Sequence, residues 1–157
     1  MALTTRPAIT DDVPAMVAMI EDRRARYEGY QPIFWAKAER SAEMSQMWFA
    51  HLVGHDDTDV LVLDEDEAVA GFAIVERIPV PPVYRAGPAI KLDDFCIADQ
   101  DRWDDLGHVL LDAVRDLARQ KGFEMLIVVS AQLDEARNAF LEREGLTVAS
   151  VWYNQPL

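Results

Sequence analysis

Leu3, Thr5 and the Arg6-Pro7 stop predict a short first strand, and Thr10-Asp11-Asp12 supplies a hydroxyl and two acids for a helix N-terminus. Val13, Met16, Val17, Ile20 and Tyr27 then recur at helical spacing, with Pro14 tolerated in the first turn, until Gly29 and Pro32 break the pattern. A second helix is predicted over Glu39 to Val53, where Met44, Met47, Trp48 and His51 share a face. Asp59 to Leu63 and Ala68 to Ile78 are rich in Val, Ile and Phe and flank the acidic turn Asp64-Glu65-Asp66-Glu67, which predicts a hairpin closed off by Pro79, Pro81 and Pro82. A strand over Ala89 to Ile97 follows. Trp103 to Gln120 then places Leu106, Val109, Leu110, Ala113, Val114 and Leu117 on one helical stripe. Beyond Gly122, Phe123 to Val129 is apolar on both faces, as a central strand covered by helices on each side must be. A helix over about Asp134 to Glu144 stops at Gly145, and Leu146 to Tyr153 is predicted to close the chain as a strand.

The predicted order is therefore β-α-α-β-β-β-α-β-α-β: an α/β chain (an α+β mixed sheet) with an antiparallel front half, a helix-crossed parallel back half and helices on both faces. At 157 residues, one domain spanning 1–157 is the expectation, and 50% hydrophobic residues supply its core. Asp and Glu number 28 against 15 Lys and Arg, a formal charge of −13. That balance argues against nucleic-acid phosphates and anionic membrane surfaces as partners and favours a basic or neutral small one. Cys96 is the only cysteine, so no internal disulfide forms. Without a signal-peptide pattern or an apolar run near the ~20 residues of a membrane helix, a cytoplasmic location is expected.

The segment F-C-I-A-D-Q-D-R-W-D-D-L-G-H-V-L-L, Phe95 to Leu111, is an apolar strand, a short loop and a helix. With Arg6 to Asp12 at the first strand-to-helix junction, it resembles the GNAT superfamily of acetyl-CoA-dependent N-acetyltransferases, over nearly the whole chain. The family's loop has the form Q/R-x-x-G-x-G/A. Arg102 matches its first position and Gly107 its last, while Asp105 stands at the middle glycine. The resemblance implies a GNAT-like acyl-CoA N-acyltransferase fold and acetyl-CoA as co-substrate, its pyrophosphate on the amides of the helix N-terminus. Contacts are then expected from Arg102, Trp103, Asp105, Leu106, Gly107 and His108, and along the strand from the main chain of Phe95, Cys96 and Ile97. Asp104 and Asp105 bring two carboxylates to the same turn, where acids also complement a helix dipole.

Leu92 to Ile97, L-D-D-F-C-I, is similar to the L-E-D-L-F-V segment of the diamine and polyamine acetyltransferase branch. By that resemblance Asp93 or Asp94 is the catalytic carboxylate that attracts a cationic amine and relays its proton. Adjacent strand residues point to opposite faces, so one of the pair lines the site, Asp93 by motif position. The general-base Glu of the histone-type branch falls on Lys91. The family's C-terminal motif N-x-x-A-x-x-F/L-Y-x-x-x-G-F places Asp134 at its Asn, a cofactor-binding position, and Phe140, Gly145 and Leu146 at matching ones. Leu141 stands at the Tyr that donates a proton to the departing thiolate. Leucine has no proton to give, which leaves Tyr153, Tyr84 or Cys96 as replacements.

Tyr27, Tyr30, Phe34 and Trp35 cluster at the break between the first two helices, where the family forms its acceptor pocket. Tyr30, Phe34 and Trp35, with Tyr84 on the Pro79 to Pro88 rim, are the expected substrate-binding residues, an aromatic wall for an alkylamine. Core packing or a dimer contact is the other reading of that cluster. His51, His55 and His108 have no ligand spacing, so no metal is expected. The leading expectation is acetyl transfer to a small primary amine by direct attack on the thioester, with a homodimer as an assembly common among relatives. The alternatives are a catalytically impaired member that binds CoA as a sensor or interaction module, and a docking module for a basic protein.

Overall fold

A computed structural model describes residues Ala2–Leu157. Strand β1 (Leu3–Pro7) leads through a single turn at Thr10–Asp12 into α1 (Val13–Tyr30), followed by the short α2 (Pro32–Trp35) and α3 (Ser41–Leu52). Strands β2 (Asp59–Glu65), β3 (Ala68–Ile78) and β4 (Ala89–Ile97) come next. A turn at Gln100–Arg102 and a wide, π-type turn at Trp103–Gly107 precede α4 (His108–Gln120), and β5 (Met125–Val128) and α5 (Glu135–Arg143) complete the fold. The five strands lie in chain order, β1 to β4 antiparallel and β5 parallel to β4. Among the described residues, no helix is long and apolar enough to cross a membrane.

Period-two alternation divides the sheet between two cores. Val62, Phe72, Ile74 and Cys96 meet Val13, Met16 and Ile20 of α1 and Phe49 of α3 on one face. Leu63, Ala73, Phe95 and Ile97 meet Trp103, Leu106, Leu110, Val114 and Phe140 on the other. The mixed sheet with helices on both faces is thus formed as the pattern predicts.

Three expectations differ. Met44, Met47 and Trp48 of α3 are 62%, 70% and 52% exposed and His51 is exposed, because α3 buries Ser45 against Arg24 of α1 and packs Phe49 and Leu52 into the core beneath the sheet instead. Residues 147–157 are exposed and form no strand, so β5 is the last strand of the sheet among the described residues rather than a central one. The predicted four-residue acidic turn is shorter: β2 runs on to Glu65, and only Asp66 and Glu67, at φ 49° and 71°, make the left-handed two-residue turn that a twisted hairpin prefers.

The feature that positions a site is an irregularity in β4. Its pairing with β3 runs from Ala73↔Phe95 to Val75↔Leu92, so Asp93 and Asp94 together oppose Ile74 alone. This is a β-bulge, which bends its strand and breaks the alternation of side chains. The inference that adjacent Asp93 and Asp94 point to opposite faces therefore loses its basis. Pairing with β5 also ends here, at Leu92↔Val128, followed by one further bond from Val129 N–H to the Leu92 carbonyl at 2.9 Å. From Asp93 onward β4 and β5 part.

Candidate active site

Arg23 of α1 reaches the bulge from one side. Its Nη1 donates to the Asp93 carbonyl at 2.7 Å and its Nη2 to Asp94 Oδ1 at 2.9 Å, with the side chain 11% exposed. Burial pushes the Asp94 carboxyl up from the ordinary carboxylate range, against the opposing pull of Arg23. Asp93 differs: its carboxylate is half exposed and lies 3.5 Å from Lys91 Nζ, which also pairs with Glu76 at 3.0 Å. Of the predicted acidic pair, Asp94 is the enclosed and perturbed member. The Arg23 guanidinium also stands 5.4 Å from the centre of the Tyr27 ring. Tyr27 packs against Tyr30 at 5.7 Å and Trp35 at 5.2 Å, and Trp35 against Phe34 at 4.6 Å, so three of the expected substrate-binding aromatics lie together beside the bulge. Tyr84 is 69% exposed on the Pro-rich loop and is not among these ring contacts.

Arg137, in α5, approaches β4 at Phe95, beyond the last residue of β4 that pairs with β5. It is fully buried, and its guanidinium meets α1, β4 and the π-type turn: Nη1 donates to Tyr27 Oη at 3.1 Å, and the group lies 5.6 Å from the ring centres of both Phe95 and Trp103. Tyr27 in turn donates to Oδ2 of the buried Asp134 at 3.2 Å, and the Ala131 N–H donates to Tyr27 Oη at 3.4 Å. Asp134 also caps α5 by accepting from the Arg137 N–H at 3.4 Å, as a short carboxylate at a helix start does. Nε and Nη2 of Arg137 are buried without a partner among the described residues. The sequence reading singled out neither Arg23 nor Arg137. A signal was present for the second: position 137 is the alanine of the C-terminal motif, and an arginine there places a charge where the pattern has a methyl group.

The loop after β4 is organised by ion pairs. Arg102 donates to Glu65 Oε2 and Oε1 at 2.7 and 2.9 Å and to Asp105, so the loop cation matched to the phosphate motif is held by two carboxylates. These bonds raise the Arg102 guanidinium and lower the Glu65 carboxyl relative to their ordinary values. Asp104 pairs with Arg143 at 2.6 Å. A Cβ on Gly107 would come within 2.6 Å of the Trp103 ring and 3.1 Å of Phe140, whose rings stack at 5.4 Å and 28°. The lack of a side chain at Gly107 therefore admits Trp103 to the core. Trp103 and Leu106 are buried, while Asp105 is exposed.

His108 Nδ1 lies 2.8 Å from Glu144 Oε1 and its Nε2 3.5 Å from Asp112, and the hydrogen bond to Glu144 raises its pKa above the usual imidazole value. His108, Asp112 and Glu144 are also the one His and carboxylate group among the described residues close enough to share a cation. Arg115 already serves both acids, Asp112 at 2.9 Å and Glu144 at 2.6 Å, so they have a resident counter-charge.

Of the groups considered to replace the missing tyrosine, Tyr153 is 94% exposed on the C-terminal segment, and Cys96 is buried with its thiol pushed up by burial. Leu141 is buried in the core beside Phe140. Tyr27 Oη is the phenol that the structure brings to the parting of the strands.

No family model and no curated protein sequence matches the chain. Solved structures do. The mutant BH1408 protein from Bacillus halodurans superposes with a TM-score of 0.85 at 15% identity, over 98% of this chain and 99% of that one. A predicted acetyltransferase with acetyl-CoA from Clostridium acetobutylicum gives 0.71 at 16%, over 99% and 96%. An aminoglycoside acetyltransferase from an uncultured soil metagenomic sample, in complex with sisomicin, gives 0.68 at 16%, over 99% and 96%. The likeness is one of fold, and the fold is that of the GNAT acyltransferases.

Proposed function

We propose that the protein is an acyl-CoA-dependent N-acyltransferase acting on a small amine. The observation that carries the reading is the parting of β4 from β5 at the Asp93-Asp94 bulge, on the fold shared with acetyltransferases. An acyl thioester laid along the free side of β4 would meet main-chain groups of Phe95, Cys96 and Ile97, with donors of Arg137 at its inner end. The π-type turn at Trp103–Gly107, rather than α4 itself, would offer amides to the pyrophosphate, because the His108 N–H already meets the Trp103 and Asp105 carbonyls. Arg102, already neutralised by Glu65 and Asp105, adds little charge there.

On this reading Asp94 holds the incoming ammonium and takes its proton. A carboxyl raised by burial is the better base, because its proton affinity lies closer to that of the group it must deprotonate. The aromatic face of Tyr30, Phe34 and Trp35 would receive the carbon skeleton of the amine. Tyr27 Oη is the proton donor to the departing sulfur, its position fixed by Arg137 and Asp134, and the phenolate left behind is stabilised by the Arg137 guanidinium until it is reprotonated from solvent. Attack is direct, and the buried Cys96 needs no covalent role. The enclosed carboxylate supports a small primary amine as acceptor. The sisomicin complex of the metagenomic enzyme is consistent with an amine acceptor on this fold.

Isothermal titration with acetyl-CoA, followed by thiol release with a panel of polyamines and amino sugars, tests the reading. Saturable binding with amine-dependent release of CoA supports it; a folded protein that binds no acyl-CoA at high micromolar concentration overturns it. A second reading, a CoA-binding sensor without transfer, is favoured by Leu141 at the tyrosine position. Binding without turnover for any amine selects that reading.

A further inference from the structure

The buried cation at the strand opening has an incomplete set of partners. Arg137 is fully buried, makes no ion pair among the described residues, and donates one side-chain hydrogen bond, to the neutral Tyr27 hydroxyl. Charged groups withdrawn from water are retained when something neutralises them, because an uncompensated one is strongly unfavourable. The two nitrogens left free, Nε and Nη2, are the adjacent pair on one edge of the guanidinium. That edge presents two parallel N–H groups at the spacing of the two oxygens of a carboxylate. Phe95 and Trp103, each 5.6 Å from the guanidinium carbon, fix the plane of the fork, and Trp103 is itself held by its stack on Phe140.

The surroundings carry both signs. Arg23, across the Tyr27 ring, is paired with Asp94 and keeps a buried and unpartnered Nε. Ser130 Oγ, next to the Ala131 amide that meets Tyr27, is another buried polar atom without a partner. The buried Asp134 lies on the other side of the Tyr27 hydroxyl and bonds no guanidinium nitrogen of Arg137, so the Nε–Nη2 edge is open to a further anion.

We propose that the opening between β4 and β5 is a carboxylate site in which Arg137 Nε and Nη2 grip both oxygens of the ligand. The carboxylate has two sources. It is the far end of a dicarboxylic acyl group carried on CoA, which rests on the transferase reading and names its acyl class, or it is a free small carboxylic acid, which does not rest on that reading. A planar carboxylate suits a fork whose plane is set by two rings better than a tetrahedral phosphate does.

Calorimetric titration of the full chain with malonyl-, succinyl- and glutaryl-CoA, acetyl-CoA and free succinate is the test, with Arg137→Lys and Arg137→Met alongside. Lys keeps the charge and loses the fork; Met keeps the length and loses both. At least one dicarboxylic acyl-CoA is expected to bind about tenfold more tightly than acetyl-CoA, a preference that both variants abolish. Succinate that binds alone, and is lost in both variants, supports the site with the free acid as its source. Succinate binding with no acyl-CoA binding keeps the site and overturns the transferase reading. Equal affinity for acetyl-CoA and all three dicarboxylic thioesters, with no binding of succinate, overturns the site and leaves the transferase reading standing. The wild-type comparison decides the matter even if a variant fails to fold.

Discussion

Arg23 and Asp94 meet at 2.9 Å across the bulge of β4, the same guanidinium holding the Asp93 carbonyl at 2.7 Å. On the transferase reading, Asp94 is the carboxylate that takes the proton from the amine. Burial raises the Asp94 carboxyl and Arg23 lowers it, so the two act in opposition. A base must be deprotonated to work, so the rising limb of the pH–rate profile should fall above the ordinary carboxylate range. Arg23→Gln should move that limb further toward high pH, and Asp94→Asn should cut turnover by about 100-fold. A limb that moves down, or an Asp94→Asn enzyme with unchanged kcat, would remove the residue from this role.

Tyr27 lies between a cation and an acid, accepting from Arg137 and donating to Asp134. Tyr27→Phe keeps the ring packing and deletes the hydroxyl. The expected result is a fall in kcat of about 100-fold with acetyl-CoA affinity nearly unchanged. Equal losses in affinity and turnover would point to a structural part instead.

Gly107 is required by its neighbours. A methyl group there lies 2.6 Å from the Trp103 ring, so Gly107→Ala must push Trp103 off Phe140. Thermal unfolding should report a loss of about 1–3 kcal/mol, the usual cost of overpacking a core.

Asp12 gathers the start of α1. It accepts from Arg6 at 2.7 and 2.9 Å and from the Ile9 N–H at 2.8 Å, and the Arg6 hydrogen bond lowers its carboxyl below the usual range. A lowered carboxyl stabilises the fold above its unfolded value of about 3.9, and that contribution fades as pH falls through the lower folded value. Asp12→Asn should cost about 1–2 kcal/mol near neutrality, with the gap to wild type closing in acid, as urea unfolding across pH would measure.

The layered architecture was readable from sequence because it rests on periodicity. The helices after β1 and β4 and the β2–β3 hairpin announce themselves by their apolar stripes. What was not readable depends on counting residues against a partner strand. Nothing in L-D-D-F-C-I reveals that Asp93 and Asp94 share one opposing residue, so the rule of alternating faces was applied where it does not hold. Hydrophobicity selects the face of Met44, Met47 and Trp48, whereas the buried positions at equal spacing are Ser45, held by Arg24 of α1, and Phe49, packed on Phe72 of the sheet. Leu146 to Tyr153 has strand composition, but composition does not supply an edge to pair with. Arg137 was hidden for a different reason: a charged residue in a helix is read as solvated, and its complete burial follows only from the separation of two strands that are distant in the chain.

The stack of Trp103 on Phe140 also provides an optical handle. The chain has four tryptophans, and Trp103 is 3% exposed, whereas Trp48 and Trp152 are 52% and 82% exposed and Trp35 is half-buried. Acrylamide, a neutral quencher indifferent to the acidic surface, should extinguish most of the emission from the other three and leave a blue-shifted remainder from Trp103. That remainder comes from the ring that flanks the Arg137 guanidinium. Occupation of the opening between β4 and β5 would therefore register in the protein's own fluorescence, with no label and no assay chemistry.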